Sequence, residues 1–214
     1  MFRNVYKFSN NIYRLLIPFE EIYATIYIVI DDNVITLIDI GSYDSDIDDY
    51  LVPAIKELGY KLEDIKYVLL SHAHLDHSGG LRRFLELHPN VNVKSSFDLG
   101  IDNFTYLKDG EVILNNIKCL HIPGHTIDSY GFLDIKSNTL LAADVLQQEK
   151  LEGYGYMIEY EDLYDESIDR LINMDIDNIL SSHDFLPLGH KAIGKKEVKE
   201  YLQICLKGNK HINN

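Results

Sequence analysis

The chain has 214 residues, 46% hydrophobic and 25% charged, enough for one globular domain spanning 1–214 to bury a full core without disulfides or a structural metal. Its 34 acidic residues against 20 basic ones leave a formal net charge of -14. Binding nucleic acid requires basic side chains that displace counterions from phosphates. The densest basic cluster here, Lys195, Lys196 and Lys199, is interrupted by Glu197 and Glu200, which argues against nucleic acid or an anionic membrane as partner and for a small-molecule substrate.

In chain order, the N-terminal MFRNVYKFSNN lacks the apolar run of a signal peptide. Asn11–Ile17, Tyr23–Ile30 and Val34–Ile40 are rich in Ile, Val, Tyr and Leu and read as strands, with Asp31-Asp32-Asn33 as a hairpin signal. The longest apolar stretch, Ile22 to Ile30, is about half of what spans a bilayer, so a cytoplasmic protein is expected. Ser45 to Leu58 carries Ile47, Leu51, Ala54, Ile55 and Leu58 at helical spacing, and Gly59 stands where a helix stops. Ile65–Leu70 reads as a buried strand and Gly79–Leu87 as a helix. Further strands are expected near Val91–Lys94, Glu111–Leu114, Ile117–Ile122, Tyr130–Ile135, Thr139–Ala143 and Ile179–Ser182. Glu161–Met174 is an amphipathic helix with Leu163, Ile168, Leu171 and Ile172 inward, and a last helix runs from about Lys195 to Lys207. Two clusters of strands, each with helices, fit two sheets packed face to face and covered outside by helices. Cys119 and Cys205 lie far apart, have no metal-ligand spacing and read as structural thiols.

The chemistry concentrates in Ser71-His72-Ala73-His74-Leu75-Asp76-His77-Ser78-Gly79-Gly80, directly after an apolar strand. Residues two apart on an extended chain point to one side, so His72 and His74 are placed to grip one metal. Asp76 and His77, in the turn that follows, aim differently and suit a second. Imidazole and carboxylate are ligands that zinc accepts in catalytic sites, where one position stays open for water. A lone histidine is more often a surface or core residue; three with an aspartate in six positions reverse that reading. His125 in Pro123-Gly124-His125-Thr126 and His183 in Ser181-Ser182-His183-Asp184 also follow expected strands, and Asp144 ends the strand before it.

The order HxHxDH, PGHT, an apolar strand ending in Asp and a strand ending in His resembles the metallo-β-lactamase superfamily, in its branch of dinuclear glyoxalase II-like and lactonase-like hydrolases. The resemblance runs from the early strands to His183. It implies an αββα sandwich of two mixed sheets flanked by helices, and two zinc ions, with iron or manganese as the other metals such ligands accept. His72, His74 and His125 would hold the first metal, Asp76, His77 and His183 the second, and Asp144 would bridge them. Asp39, in Leu37-Ile38-Asp39-Ile40-Gly41, matches the family's early strand-end aspartate and would orient a ligand. The cluster Tyr154, Tyr156, Tyr160 and Tyr164 falls where family members place substrate contacts; one hydroxyl there would stabilise an oxyanion. Spacing singles out none of His88, His121, His190 and His211 as a ligand.

The implied reaction is hydrolysis of an ester, thioester or lactone by a metal-bridging hydroxide, with Asp76 as the catalytic proton relay. The details separate the chain from several known branches. True β-lactamases lack the bridging aspartate. RNA-processing members carry extra domains or arms. Glyoxalase-type thioesterases have a further His after PGHT, where this chain reads Ile127-Asp128-Ser129, and homoserine lactonases have a Tyr where Gln147 stands. Alternatives are a phosphodiesterase, an iron-dependent persulfide dioxygenase and a non-catalytic scaffold; flavodiiron reductases usually have Glu in place of His74. Monomer and homodimer are both open.

Overall fold

The first sheet grows from hairpins that the backbone chemistry dictates. In the computed structural model, which describes residues 4–146, 157–184 and 189–210, strands β1 (Val5–Lys7), β2 (Ile12–Phe19), β3 (Ile22–Asp31) and β4 (Val34–Ile38) pair antiparallel in sequence order. The β3–β4 turn places only Asp32 and Asn33 between paired Asp31 and Val34, both at positive φ, +46° and +63°. That geometry matches the strand twist, and Asp and Asn tolerate it better than most residues. The expected hairpin is therefore present. β5 (Ile65–Leu69), β6 (Asn92–Ser95) and β7 (Phe104–Tyr106) extend the sheet in parallel from β4, giving seven strands. β1 and β7 have three residues each, too few for an apolar period to show in sequence.

The expected 45–58 helix is wound in two ways. Asp46–Leu51 is a π-helical segment, and α1 (Val52–Glu57) continues it. Pro53 has no N–H for a turn bond and its ring crowds the preceding carbonyls, which favours a wider winding just before it. Ile47, Leu51, Ala54 and Ile55 are buried against Leu15, Ile17, Ile26 and Ile28 of the sheet, as their spacing requires. Gly59 ends the helix at φ +87°; its N–H reaches the Lys56 carbonyl and that of Tyr60 reaches Ile55, the two bonds of a Schellman stop.

A short helical turn that was not expected, α2 (Leu75–Ser78), precedes the expected helix over Gly79–Leu87, which is present as α3 (Leu81–Leu87). Asp76 and His77 thus sit on a helical turn and not in an irregular one. The two glycines between the pieces are there for space. A Cβ on Gly79 would lie 2.1 Å from the Ser42 carbonyl oxygen, and one on Gly80 2.3 Å from that of Ile40. The close approach is cemented by the Gly80 N–H on the Gly41 carbonyl (3.0 Å) and the Ile40 N–H on His77 (2.9 Å). Gly80 is the N-cap of α3, where Ala is poorer than Gly, so no gain in helix propensity offsets the contact. Gly80→Ala is expected to lose about 1–3 kcal/mol. A lowered midpoint in urea unfolding is the expected reading; a raised one would show the contact to be soft.

The second sheet has the order β13-β12-β11-β10-β9-β8. Here β8 is Val112–Ile113, β9 Ile117–His121, β10 Tyr130–Asp134, β11 Thr139–Ala143, β12 Asn178–Ser181 and β13 Lys191–Ile193. All its pairs are antiparallel except β11 with β12, so both sheets are mixed. Helices α4 (Glu161–Ile172) and α5 (Gly194–Lys210) pack against it through Tyr164, Ile168, Leu171, Val198, Leu202 and Cys205. On α4 the buried stripe is Tyr164, Ser167, Ile168 and Leu171. It is rotated from the expected one, leaving Leu163 and Ile172 only half-buried, because Tyr164 packs closely on Gly124. Cys119 and Cys205 are both buried and form no disulfide, as structural thiols should, and burial pushes the Cys205 thiol up to about 12.

The two sheets belong to two compact units, Met1–Leu107 and Lys108–Asn214. No described helix is long and apolar enough to cross a membrane.

Candidate functional site

In the first unit the donors gather at the carboxyl ends of β4 and β5. Parallel strands end at the same edge, so Asp39, just past β4, meets Ser71, just past β5. The Asp39 N–H continues the ladder onto the Leu69 carbonyl at 2.9 Å. Its φ is +64°, a left-handed backbone that costs a non-glycine residue about 1–2 kcal/mol. The fully buried carboxylate offsets that strain with three hydrogen bonds. Oδ1 accepts the Ser71 N–H at 2.8 Å; Oδ2 accepts the Ser71 hydroxyl at 2.9 Å and His77 Nδ1–H at 2.7 Å. Hydrogen bonds to a charged group contribute about 1.5–3 kcal/mol each, so the set outweighs the strain. Asp39 therefore orients a histidine, as expected.

His72 and His74 stand beyond β5 on either side of a bend at Ala73, and their ligand atoms lie within 4.8 Å of each other. Their rings meet edge to face with centroids 4.6 Å apart. His72 Nδ1 is 2.9 Å from the Ser71 hydroxyl. On α2, His77 Nε2 is 3.3 Å from Asp76 Oδ2. The four donors of the HxHxDH segment are thus together, three of them buried and His74 half-buried.

In the second unit the same strand logic recurs. β11 and β12 are parallel, so Asp144 and His183, each just beyond its strand, reach one edge. Asp144 Oδ2 is 3.1 Å from His183 Nε2 and 3.8 Å from His125 Nε2. A register shift at Leu141/Ala143 re-aims the chain there. Ala143 takes φ +46°, and its carbonyl is held by the Ser182 N–H at 3.1 Å and the Ser181 hydroxyl at 3.2 Å. His125 is set by a strap between its loop and the start of α4. Gly124 has φ +146°, and a Cβ there would lie 2.6 Å from Tyr164 Cα, so only glycine fits. The Gly124 carbonyl accepts the N–H groups of Glu159 and Tyr160, both at 2.9 Å, and Ser167 donates to the Pro123 carbonyl at 2.7 Å. His125 Nδ1 donates to the Met157 carbonyl at 2.5 Å, which leaves Nε2 as its ligand atom.

The remaining histidines are structural where they are described. Those of His88 and His121 bond the Ile65 and Ile127 carbonyls through Nε2, each at 2.9 Å, and His190 Nδ1 is 3.6 Å from Asp184. His211, Tyr154, Tyr156 and Gln147 lie outside the described residues. Of the other two candidate tyrosines, Tyr164 is a buried core residue and Tyr160 is exposed. Sequence reasoning assigned no role to Ser71, Ser167 or the Met157 carbonyl, whose partners are 32–44 residues away along the chain.

The donor chemistry of both groups, imidazole nitrogens and carboxylate oxygens with no thiolate, fits divalent cations such as zinc. Comparison with known proteins gives the family but not the metal. The model of the metallo-beta-lactamase superfamily matches residues 20–183. An uncharacterized protein of Bacillus subtilis, YobT, is 29% identical over 150 residues, 56% of this chain and 61% of that protein. A hydroxyacylglutathione hydrolase of Francisella philomiragia is 30% identical over 166 residues, 74% of this chain and 62% of that protein. The chain thus spans about three-fifths of the length of these two curated relatives. Among solved structures, a metallo-beta-lactamase family protein of Thermus thermophilus is similar with a TM-score of 0.73 and 19% identity, over 95% of this chain and 80% of that one. That likeness shows the fold class expected from the sequence, α/β with two mixed sheets and flanking helices.

Proposed function

The chain belongs to the metallo-β-lactamase superfamily, and on that premise we propose that it is a metal-dependent hydrolase acting on an ester, thioester or lactone bond. His72, His74 and His125 would hold one cation and Asp76, His77 and His183 a second, with Asp144 shared; zinc is the metal this donor set suits best. The observation that carries the reading is Asp144 at 3.1 Å from His183 Nε2, a carboxylate placed beside a histidine that the sequence pattern names as a ligand. The superfamily's true β-lactamases have no such aspartate, so the reading excludes that substrate. The relative named as a hydroxyacylglutathione hydrolase points toward acyl transfer to water. The net charge of -14 favours a small molecule over a polyanionic substrate.

Bound cations would supply Lewis acidity, acidifying water and polarising the scissile carbonyl. The protein's own groups do the rest. Asp39 holds the His77 ring in place through Nδ1, and the Met157 carbonyl does the same for His125. Asp76, largely buried beside His77, accepts a proton from the attacking water and returns it to the leaving group.

Metal content, measured by elemental mass spectrometry on protein purified without added metal or chelator, tests the reading. About two zinc ions per chain are expected, as in two-metal hydrolytic sites. Lactones, thioesters, esters and phosphoesters are then screened as substrates, and turnover of phosphoesters alone would move the assignment to a phosphodiesterase. One iron with little zinc would replace hydrolysis with oxidation of a persulfide, to be followed with an oxygen electrode.

A further inference from the structure

Ser71 is fully buried, and its hydroxyl lies between two groups: 2.9 Å from Asp39 Oδ2 and 2.9 Å from His72 Nδ1. A hydroxyl has one proton to give. An ionised carboxylate only accepts, so that proton goes to Asp39, and the Ser71 oxygen is left to accept from His72 Nδ1–H. The same carboxylate oxygen takes His77 Nδ1–H at 2.7 Å. One buried anion thus fixes the rings of two histidines, one directly and one through a serine.

We infer that Ser71 is a positioning residue: with Asp39 it forms a two-armed brace that holds His72 and His77 as Nδ1–H tautomers, presenting Nε2 of both. This rests on the proposed function in one respect. There His72 and His77 serve different cations, so Asp39 acts on both metal sites while Ser71 acts on the site of His72 alone. Partners that orient a ligating histidine typically contribute 10–100-fold to metal affinity. Their loss here is expected to split accordingly.

Two readouts test the brace. The first needs no metal and no substituted protein. Long-range proton–nitrogen NMR of the histidine rings of the metal-free chain, at mildly alkaline pH where free imidazole is neutral, reads the tautomers directly. His72 and His77 are expected as Nδ1–H forms; an Nε2–H form at His72 would overturn the inference. The second is a titration of metal-free protein with zinc against a chromophoric chelator. Ser71→Ala is expected to weaken one binding step about 10–100-fold and spare the other, and Asp39→Asn to weaken both. Ser71→Thr, which keeps the hydroxyl, is expected to restore the first step. Ser71→Ala titrating like the unaltered chain would sink the brace while leaving the hydrolase reading intact. Failure of the unaltered chain to bind zinc would sink the hydrolase reading, and the tautomers would still decide the brace.

Discussion

Asp76→Asn is expected to retain the fold and the metals and to lose about 10²–10⁴-fold in kcat, the usual contribution of a positioned proton carrier. The substitution is nearly isosteric. It keeps a carbonyl-type oxygen for coordination and removes the negative charge, and with it the ability to take up a proton. Asp76 suits such a role because it stands on a rigid turn, α2, held from behind by Gly79 and Gly80, with its Oδ2 3.3 Å from His77 Nε2. The measurement is steady-state kinetics on the best substrate from the screen, with metal content and circular dichroism of the same preparation. Unchanged kcat with metals in place would remove Asp76 from the proton path. Lost metal together with lost turnover would make it a ligand first and a proton carrier second.

Asp144→Ala is expected to bring the metal content down from about two per chain to about one or fewer, and turnover down by more than about 10²-fold. The lower bound follows because even partners that only orient a ligand contribute 10–100-fold, and Asp144 is read as a ligand itself. Its carboxylate sits within 3.1 Å of His183 Nε2 and 3.8 Å of His125 Nε2, histidines assigned to different cations. Removing it takes away the negative charge that would screen two closely spaced cations from each other. Elemental analysis and kinetics on the purified variant check both parts. Two metals retained with full turnover would show that Asp144 is a structural strand-end residue, the ordinary role of such an aspartate, and that its assignment as a ligand shared by two cations is wrong.

The HxHxDH segment was legible in the sequence because its logic is local. His72 and His74, two positions apart, bring their ligand atoms together just beyond β5, and the following turn re-aims Asp76 and His77. The Asp32-Asn33 hairpin and the stop at Gly59 were legible for the same reason, since a few φ angles decide them. The family pattern likewise marked Asp39, Asp144 and His183, which the structure places just past β4, β11 and β12, and His125, which it places in the loop after β9. Nothing in the residues themselves announced the supports of these groups. Ser71 reads as an ordinary serine until β4 and β5 pair in parallel and bring it to Asp39, 32 positions earlier. The Met157 carbonyl has no side chain to announce it, and it holds His125 only because Gly124 lets the start of α4 close over that loop. The buried stripe of α4 was misjudged by one residue on the same account, as a tight contact at Tyr164 overrode the apolar spacing. The sequence by itself determined which donors this protein has and which strand ends carry them. The tertiary structure decided which ring nitrogen each braced histidine presents, because hydrogen bonds between distant residues exist only once the sheets have set their register.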